Sequence, residues 1–243
     1  MKGKLINLAM KDIDIPIYRV FNFQRLLEMF TSNKNVLVKP ARWDDPLENY
    51  VLRVAMRAFM DRPHNFDFTK KDRFYGQCWS TIEESDAMWR IYSPEKSGVK
   101  VKTTIRKLLD SLAASPEATS GEYFIGRVKY LADKTLKQKL QNREWLSLEP
   151  VNSYSQASSL LFKRREFTHE QEVRLIYLNH DLSYTDDLFR HSIDPAALFD
   201  EIQFDPRIPV ELFEVFRYFL EEKVGYRNQL TRSELYKVPE LNI

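Results

Sequence analysis

Six glycines are spread over 243 residues, and none of them falls into GxGxxG or GxxxxGK[ST]. Without those loops a chain cannot bring backbone N–H groups against a pyrophosphate at the start of a helix, as doubly wound dinucleotide folds and P-loop proteins do. The hydrophobic fraction of 43% and aromatic fraction of 13% nevertheless suffice for a substantial core. Strand-like and helix-like stretches are interspersed without a regular βαβ rhythm. The pattern predicts an α+β fold, an irregular mixed sheet with flanking helices, as one domain over residues 1–243.

The strongest strand signal is Glu172–Leu178, where Val173, Leu175 and Tyr177 alternate with Glu172 and Arg174. Further strands are predicted over Asp14–Phe21, Asn35–Val38, Phe74–Thr81, Gly98–Lys102, Tyr123–Leu131 and Ile202–Phe204, and a last one within Gly225–Ile243. Asn22 is placed to cap a helix with a Phe23, Leu26, Leu27, Phe30 stripe. Other helices are expected over Leu47–Met60, Glu83–Tyr92, Thr103–Leu112, much of Ala132–Leu160, and Val210–Val224. Asp61–Asp72 and Ser111–Glu122 read as loops.

Composition excludes several classes. A single cysteine, Cys78, cannot form an intrachain disulfide, and four scattered histidines lack metal-ligand spacing. No metal is expected. A net charge of +2, from 37 basic and 35 acidic residues, is too balanced for a chain devoted to neutralising a phosphate backbone. Apolar runs are too short for a membrane span, and Met1–Leu8 lacks a signal-type apolar region. A cytoplasmic protein with no membrane partner is expected.

Three groups of residues could carry chemistry. Tyr18-Arg19 places a guanidinium in an apolar strand, where it must reach water or find an anion. A planar fork suits a phosphate; the plainer alternative is an edge arginine facing solvent. Trp79-Ser80-Thr81, with Trp89 and Arg90 following, could hold a planar ring and a ribose. Alternatively Ser80 and Thr81 only end a strand, Ser85 caps a helix and Trp89 fills the core. Strand periodicity puts Glu170, Glu172 and Arg174 on one face, with Val173, Leu175 and Tyr177 on the other. Paired carboxylates can orient a ribose hydroxyl and stabilise charge at an anomeric carbon, with Arg174 the cation between them. The plainer alternative is a solvated face laced with ion pairs. Lys163–Arg165 reads as a solvated turn, His169 as a weak candidate base, and Cys78 as a small buried residue.

Several pieces in this order resemble a bacterial family known as domain of unknown function 2971. They are Ile17-Tyr18-Arg19, Trp43-Asp44-Asp45-Pro46-Leu47-Glu48 (WxDPxE), Gln77-Cys78-Trp79-Ser80, Ser85 through Tyr92 (with MWxxY), Gly98-Val99, and Phe167 through Arg174 (with ExEVR). The similarity runs from about Ile17 to about Phe204. More distantly, Arg19, Ser80-Thr81 and Glu170-Gln171-Glu172 are similar in order to the signature of ADP-ribosyltransferases of the Arg–Ser–Glu type. The chain departs from that signature where Ile82 follows Thr81 in place of a second serine. The resemblance implies an ADP-ribosyltransferase-like fold and an enzyme using NAD, with a protein or nucleic-acid acceptor. It also implies a toxin or phage-defence role with an antitoxin or defence-system partner. Arg19 would hold a ribose or phosphate of NAD and Ser80 would brace the nicotinamide ribose. Glu172 would stabilise the oxocarbenium-like transition state, and Glu170 would orient or deprotonate the acceptor.

Two other classes stay open. A non-catalytic module could bind nucleic acid or protein through Trp79, Trp89, Arg90 and Lys163–Arg165. A metal-dependent nuclease could use Asp44, Asp45, Glu48 and Glu172.

Overall fold

A computed structural model of the chain describes residues 4–43, 45, 73–142 and 153–238. The helix expected over Leu47–Met60 and the loop over Asp61–Asp72 lie outside the described residues, as do Asp44 and Glu48. The fold is α+β with a mixed sheet. Its described strands are β1 (Lys4–Ile6), β2 (Pro16–Asn22), β3 (Lys34–Val38), β4 (Phe74–Ser80), β5 (Gly98–Thr104), β6 (Glu122–Arg127), β7 (Lys129–Leu131), β8 (Phe162–Arg164), β9 (Glu172–Leu178), β10 (Leu188–Ser192), β11 (Glu201–Phe204) and β12 (Gln229–Arg232). The helices that position the site are α1 (Phe23–Ser32), α2 (Asp86–Tyr92), α3 (Ile105–Ala114), α4 (Asp133–Asn142) and α5 (Ser153–Ser159).

The main sheet runs β1-β6-β9-β4-β2-β5-β11-β12, with β3 and β10 branching from β4. β1–β6 and β11–β12 are parallel pairs; the other pairs in this sheet are antiparallel. Alternation sorts the side chains onto two faces. Val173, Leu175 and Tyr177 join Ile17, Leu26, Leu108 and Leu112 in the larger core beneath α1 and α3. Ile176 and Leu178 pack with Phe74, Phe124, Leu160 and Leu161 on the other face, next to α5. Each fully buried large aliphatic side chain contributes roughly 1.5–3 kcal/mol. The face carrying Glu172 and Arg174 is therefore covered, not solvated: all seven residues of β9 are buried.

Where β4 meets its neighbours the sheet forks. Along one edge β4 pairs with β9 over its full length, from Phe74↔Leu178 to Ser80↔Glu172. Along the other it meets β3 only at Val38↔Gly76 and β2 only at Tyr18↔Ser80. β2 turns away to pair with β5 from Pro16↔Thr104 to Asn22↔Gly98, and β3 turns the other way to pair with β10. Gln77, Cys78 and Trp79 face the gap. The fork is spanned by α1, which leaves β2 through the Asn22 cap (Arg25 N–H to Asn22 Oδ1, 2.9 Å) and ends at Asn33 with φ of 51°.

Two expectations need correction. The single strand expected over Tyr123–Leu131 breaks at Val128, whose N–H donates to the Glu172 carbonyl; β7 then leaves the main sheet and pairs with β8. The strand does not extend back to Glu170, which ends a 3-10 helix over Arg165–Glu170.

Candidate active site

Cross-strand register decides which side chains meet. Tyr18 stands opposite Ser80, and Ser80 opposite Glu172, so β2, β4 and β9 contribute one row. Cys78 stands opposite Arg174 in the next row. The fork opens over these rows as a cavity of about 590 Å3. Because the cavity enters the gap in the sheet, it is lined from both faces: Arg19, Gln77 and Trp79 belong to one, Ser80, Glu172 and Arg174 to the other.

The acidic pair forms in a way that strand alternation does not foresee. Gln171 adopts a left-handed conformation (φ 40°, ψ 57°) between the 3-10 helix and β9. That turn swings Glu170 back beside Glu172. The cation between the two carboxylates is Lys163, not Arg174. Its Nζ donates to Glu170 Oε2 and, at 2.5 Å, to Glu172 Oε1. Arg174 flanks the other side of Glu172, donating from Nε to Oε2 at 2.7 Å and from Nη1 to the Leu160 carbonyl at 2.8 Å. Lys163, read from sequence as part of a solvated turn, is buried on β8.

The two carboxyls differ in their surroundings. Burial pushes Glu170 up to about 7, helped by the hydrogen bond and charge of Glu172 and opposed by Lys163. Burial acts in the same direction on Glu172, but the charge of Arg174, its hydrogen bonds and Lys163 outweigh it and hold that carboxyl below the usual range. The pair thus combines one committed carboxylate with one that titrates near neutrality, and the two must titrate as a unit. Tyr92 Oη donates to Glu170 Oε1 at 3.2 Å, and the Glu172 N–H donates to Tyr130 Oη at 2.8 Å. Ser80 Oγ donates to the Glu170 carbonyl at 2.7 Å and accepts from the Ile82 N–H at 3.0 Å, tying the end of β4 to the glutamate turn.

Across the cavity sits Arg19. Among the described residues it makes no hydrogen bond or ion pair; the Phe21 ring lies 5.5 Å from its Cζ. Burial lowers its pKa from the ordinary arginine value. A partly buried guanidinium without a carboxylate among the described residues is poorly compensated by the protein, and an anion entering the cavity would complete it.

Of the residues singled out in the sequence, Tyr18, Arg19, Trp79, Ser80, Glu170, Glu172 and Arg174 line this cavity. Thr81, Trp89 and Arg90 do not. Thr81 Oγ1 bonds to the Gln171 carbonyl at 3.3 Å. Trp89 is 1% exposed and offers no stacking face, which removes it from a nucleic-acid platform. Arg90 is exposed and paired with Asp86 at 2.8 Å. His169 stands exposed at the cavity mouth, its Nδ1 3.3 Å from the Glu166 carbonyl oxygen. Cys78 is partly exposed at the cavity wall rather than buried. Sequence reasoning missed Tyr92 and Trp43 as site residues, and named Lys163 only for the non-catalytic binding alternative. The Trp43 ring lies 4.5 Å from the Arg174 Cζ. The apolar run Leu160-Leu161-Phe162 before Lys163 was the available hint of a strand there.

Among the described residues no group of three or more His, Cys, Asp or Glu is placed to hold a metal ion. Asp45 accepts from Arg164 at 3.2 Å, and Asp44 and Glu48, its companions in the nuclease reading, lie outside the described residues. No helix of the described residues is long and apolar enough to cross a membrane.

Comparison with known families matches residues 88–175 to the family described as Protein of unknown function (DUF2971). The resemblance read from the sequence holds there. The matched stretch takes in MWxxY and ExEVR; WxDPxE and the Gln77–Ser80 segment precede it. No curated protein matches the chain. Solved structures similar to it include Thermus sp. 2.9 DarT in complex with NAD+, at 12% identity, covering 91% of this chain and 96% of that one with a TM-score of 0.41. Thermus sp. 2.9 DarT in complex with ADP-ribosylated ssDNA is similar at 12% identity over 96% and 98% of the two chains, with a TM-score of 0.41.

Proposed function

We propose that the forked cavity binds NAD and that the chain transfers its ADP-ribose to an acceptor. The observation that carries this reading is that Arg19 and the Glu170–Glu172 pair, distant in sequence, line one cavity with Ser80 beside the acids. Its volume falls in the range of small-molecule sites. Arg19 would take a phosphate or ribose oxygen of NAD, and Ser80 would brace the nicotinamide ribose together with the turn that carries Glu170.

The reaction needs little beyond charge placement. The bond between C1′ of the ribose and the pyridinium nitrogen breaks with its electron pair going to nitrogen, so nicotinamide leaves neutral and requires no proton. Positive charge develops on the ribose, and Glu172, held ionised by Arg174 and Lys163, would stabilise it and hold the 2′-hydroxyl. The acceptor then bonds to C1′ and gives up a proton. Glu170, titrating near neutrality, would receive it.

An enzyme that consumes NAD to modify a macromolecule harms its own cell unless restrained. On that ground we extend the reading to a cytoplasmic toxin or phage-defence effector, with a protein or nucleic-acid acceptor and a restraining antitoxin or defence partner.

The decisive experiment measures nicotinamide release from NAD by the wild type and Glu172→Gln, with NAD-dependent thermal stabilisation as the binding readout. Loss of release with binding retained is the expected result. Full activity in the glutamine variant, or no stabilisation of the wild type by NAD, overturns the assignment.

A further inference from the structure

Lys163 is the least expected member of the site. It sits on a three-residue strand outside the main sheet, with Lys163 opposite Tyr130 in the β7–β8 pair. That pairing fixes its backbone, and its ammonium lies over the Phe167 ring, 4.6 Å from the centroid. Its head group donates to both carboxylates of the acidic pair. Counting the ionised forms of Lys163, Arg174, Glu170 and Glu172, the cluster is neutral; without Lys163 it would carry one uncompensated negative charge in a buried setting. Around it stand Tyr92 from α2, Tyr130 from β7, Cys78 from β4 and Arg174 from β9. Of these Arg174 is the one cation, and its Nε faces Glu172 rather than Glu170.

We infer that Lys163 is the positioning residue of the acidic pair: its ammonium clamps the Glu170 and Glu172 carboxylates together at the cavity wall and is the cation that faces Glu170. The part this plays in catalysis rests on the NAD reading; the clamp does not. Glu172 keeps Arg174 if Lys163 is removed, whereas Glu170 keeps the neutral Tyr92 hydroxyl and its contact with Glu172 but no cation among the described residues. The loss therefore falls on Glu170, the group assigned to take the acceptor's proton.

The test compares wild type, Lys163→Met and Lys163→Arg, with Lys163→Gln in place of the methionine variant if the latter fails to fold. Glutamate side-chain carboxyls labelled with carbon-13 are titrated by NMR and assigned with Glu170→Gln and Glu172→Gln. Loss of a close opposite charge should move the Glu170 midpoint up by about one pH unit or more, and arginine should restore most of it. In NAD turnover the acid limb of the kcat profile should move up in parallel. Well below both midpoints kcat should fall about tenfold while KM changes little, since one unit is there a tenfold change in the ionised fraction, and at pH 7 the fall should be about fivefold. An unmoved Glu170 midpoint overturns the clamp, and a moved midpoint with an unmoved kcat profile overturns its catalytic role. If the wild type releases no nicotinamide at any pH, the NAD reading and the catalytic role fall together, while the NMR titration still decides the clamp.

Discussion

Gln77 Nε2 donates to the main-chain oxygen of Val36 across 3.0 Å, at the level where β3 and β4 have stopped pairing. The same amide group donates to Asn35 Oδ1 at 2.7 Å, and its Oε1 accepts from Trp79 Nε1 at 2.9 Å. One buried side chain thus replaces ladder bonds that the fork removes. It props β3 away from β4 while satisfying the exposed edge.

Replacing Gln77 with leucine should leave the Val36 carbonyl, the Asn35 amide and the Trp79 indole short of partners. A loss of about 2–3 kcal/mol is expected, read as a lower midpoint in urea unfolding. NAD affinity should fall with it, because the walls of the cavity lose their spacer. A variant as stable as the wild type would show that the wedge is not needed.

Arg19 should behave in the opposite way. Since it lacks a partner among the described residues and is only partly exposed, Arg19→Met should preserve or raise the thermal midpoint. Binding of NAD, followed by calorimetry, should weaken by at least about tenfold, as expected for loss of a charge-assisted contact of roughly 1.5–3 kcal/mol. Destabilisation without a change in affinity would assign the guanidinium to the fold instead of the ligand.

His191 makes stability depend on acid. Its ring is fully buried, with Nε2 3.2 Å from the Asn35 amide, and burial pushes its pKa down to about 4. In the unfolded chain it would titrate near its ordinary value of about 6.5. Between those two values the unfolded state binds a proton that the folded state refuses, so stability falls as pH drops through this window. The term reaches about 3 kcal/mol by pH 4. Subtracting the pH profile of His191→Phe from that of the wild type should isolate it and cancel the carboxylates; a flat difference would contradict it.

Gly76 sits beneath the indole of Trp43. A β-carbon there would fall 2.5 Å from the ring, and the ring is what lies against Arg174. Gly76→Ala should displace Trp43, red-shift tryptophan fluorescence and cost about 1–3 kcal/mol. An unchanged emission spectrum would mean that the ring has room to move aside.

Much of the framework was legible because local signals and packing agree. The alternation in Glu172–Leu178 marks β9, and Asn22 caps α1 as its position implied. Arg19, Ser80 and the glutamates were readable as polar groups in apolar strands. The fork was not readable: it depends on β4 meeting two strands at single residue pairs, and no local pattern encodes a missing pairing. The glutamate pair was found for an incomplete reason. Alternation predicted a shared strand face, whereas the left-handed Gln171 produces the meeting. Lys163 was hidden because three charges in a row read as solvent-facing, and only the β7–β8 pairing turns the first of them inward.

The strands on either side of the fork, β2 and β3, are consecutive in the chain and joined by the ten residues of α1 and Asn33. The spacing of these two strands is therefore tied to the length of one short connection. Adding or deleting a helical turn there would move the two jaws relative to each other while the β4–β9 floor stayed in register. Such a molecule could be retuned toward larger or smaller guests by an insertion outside the floor that carries Glu172 and Arg174.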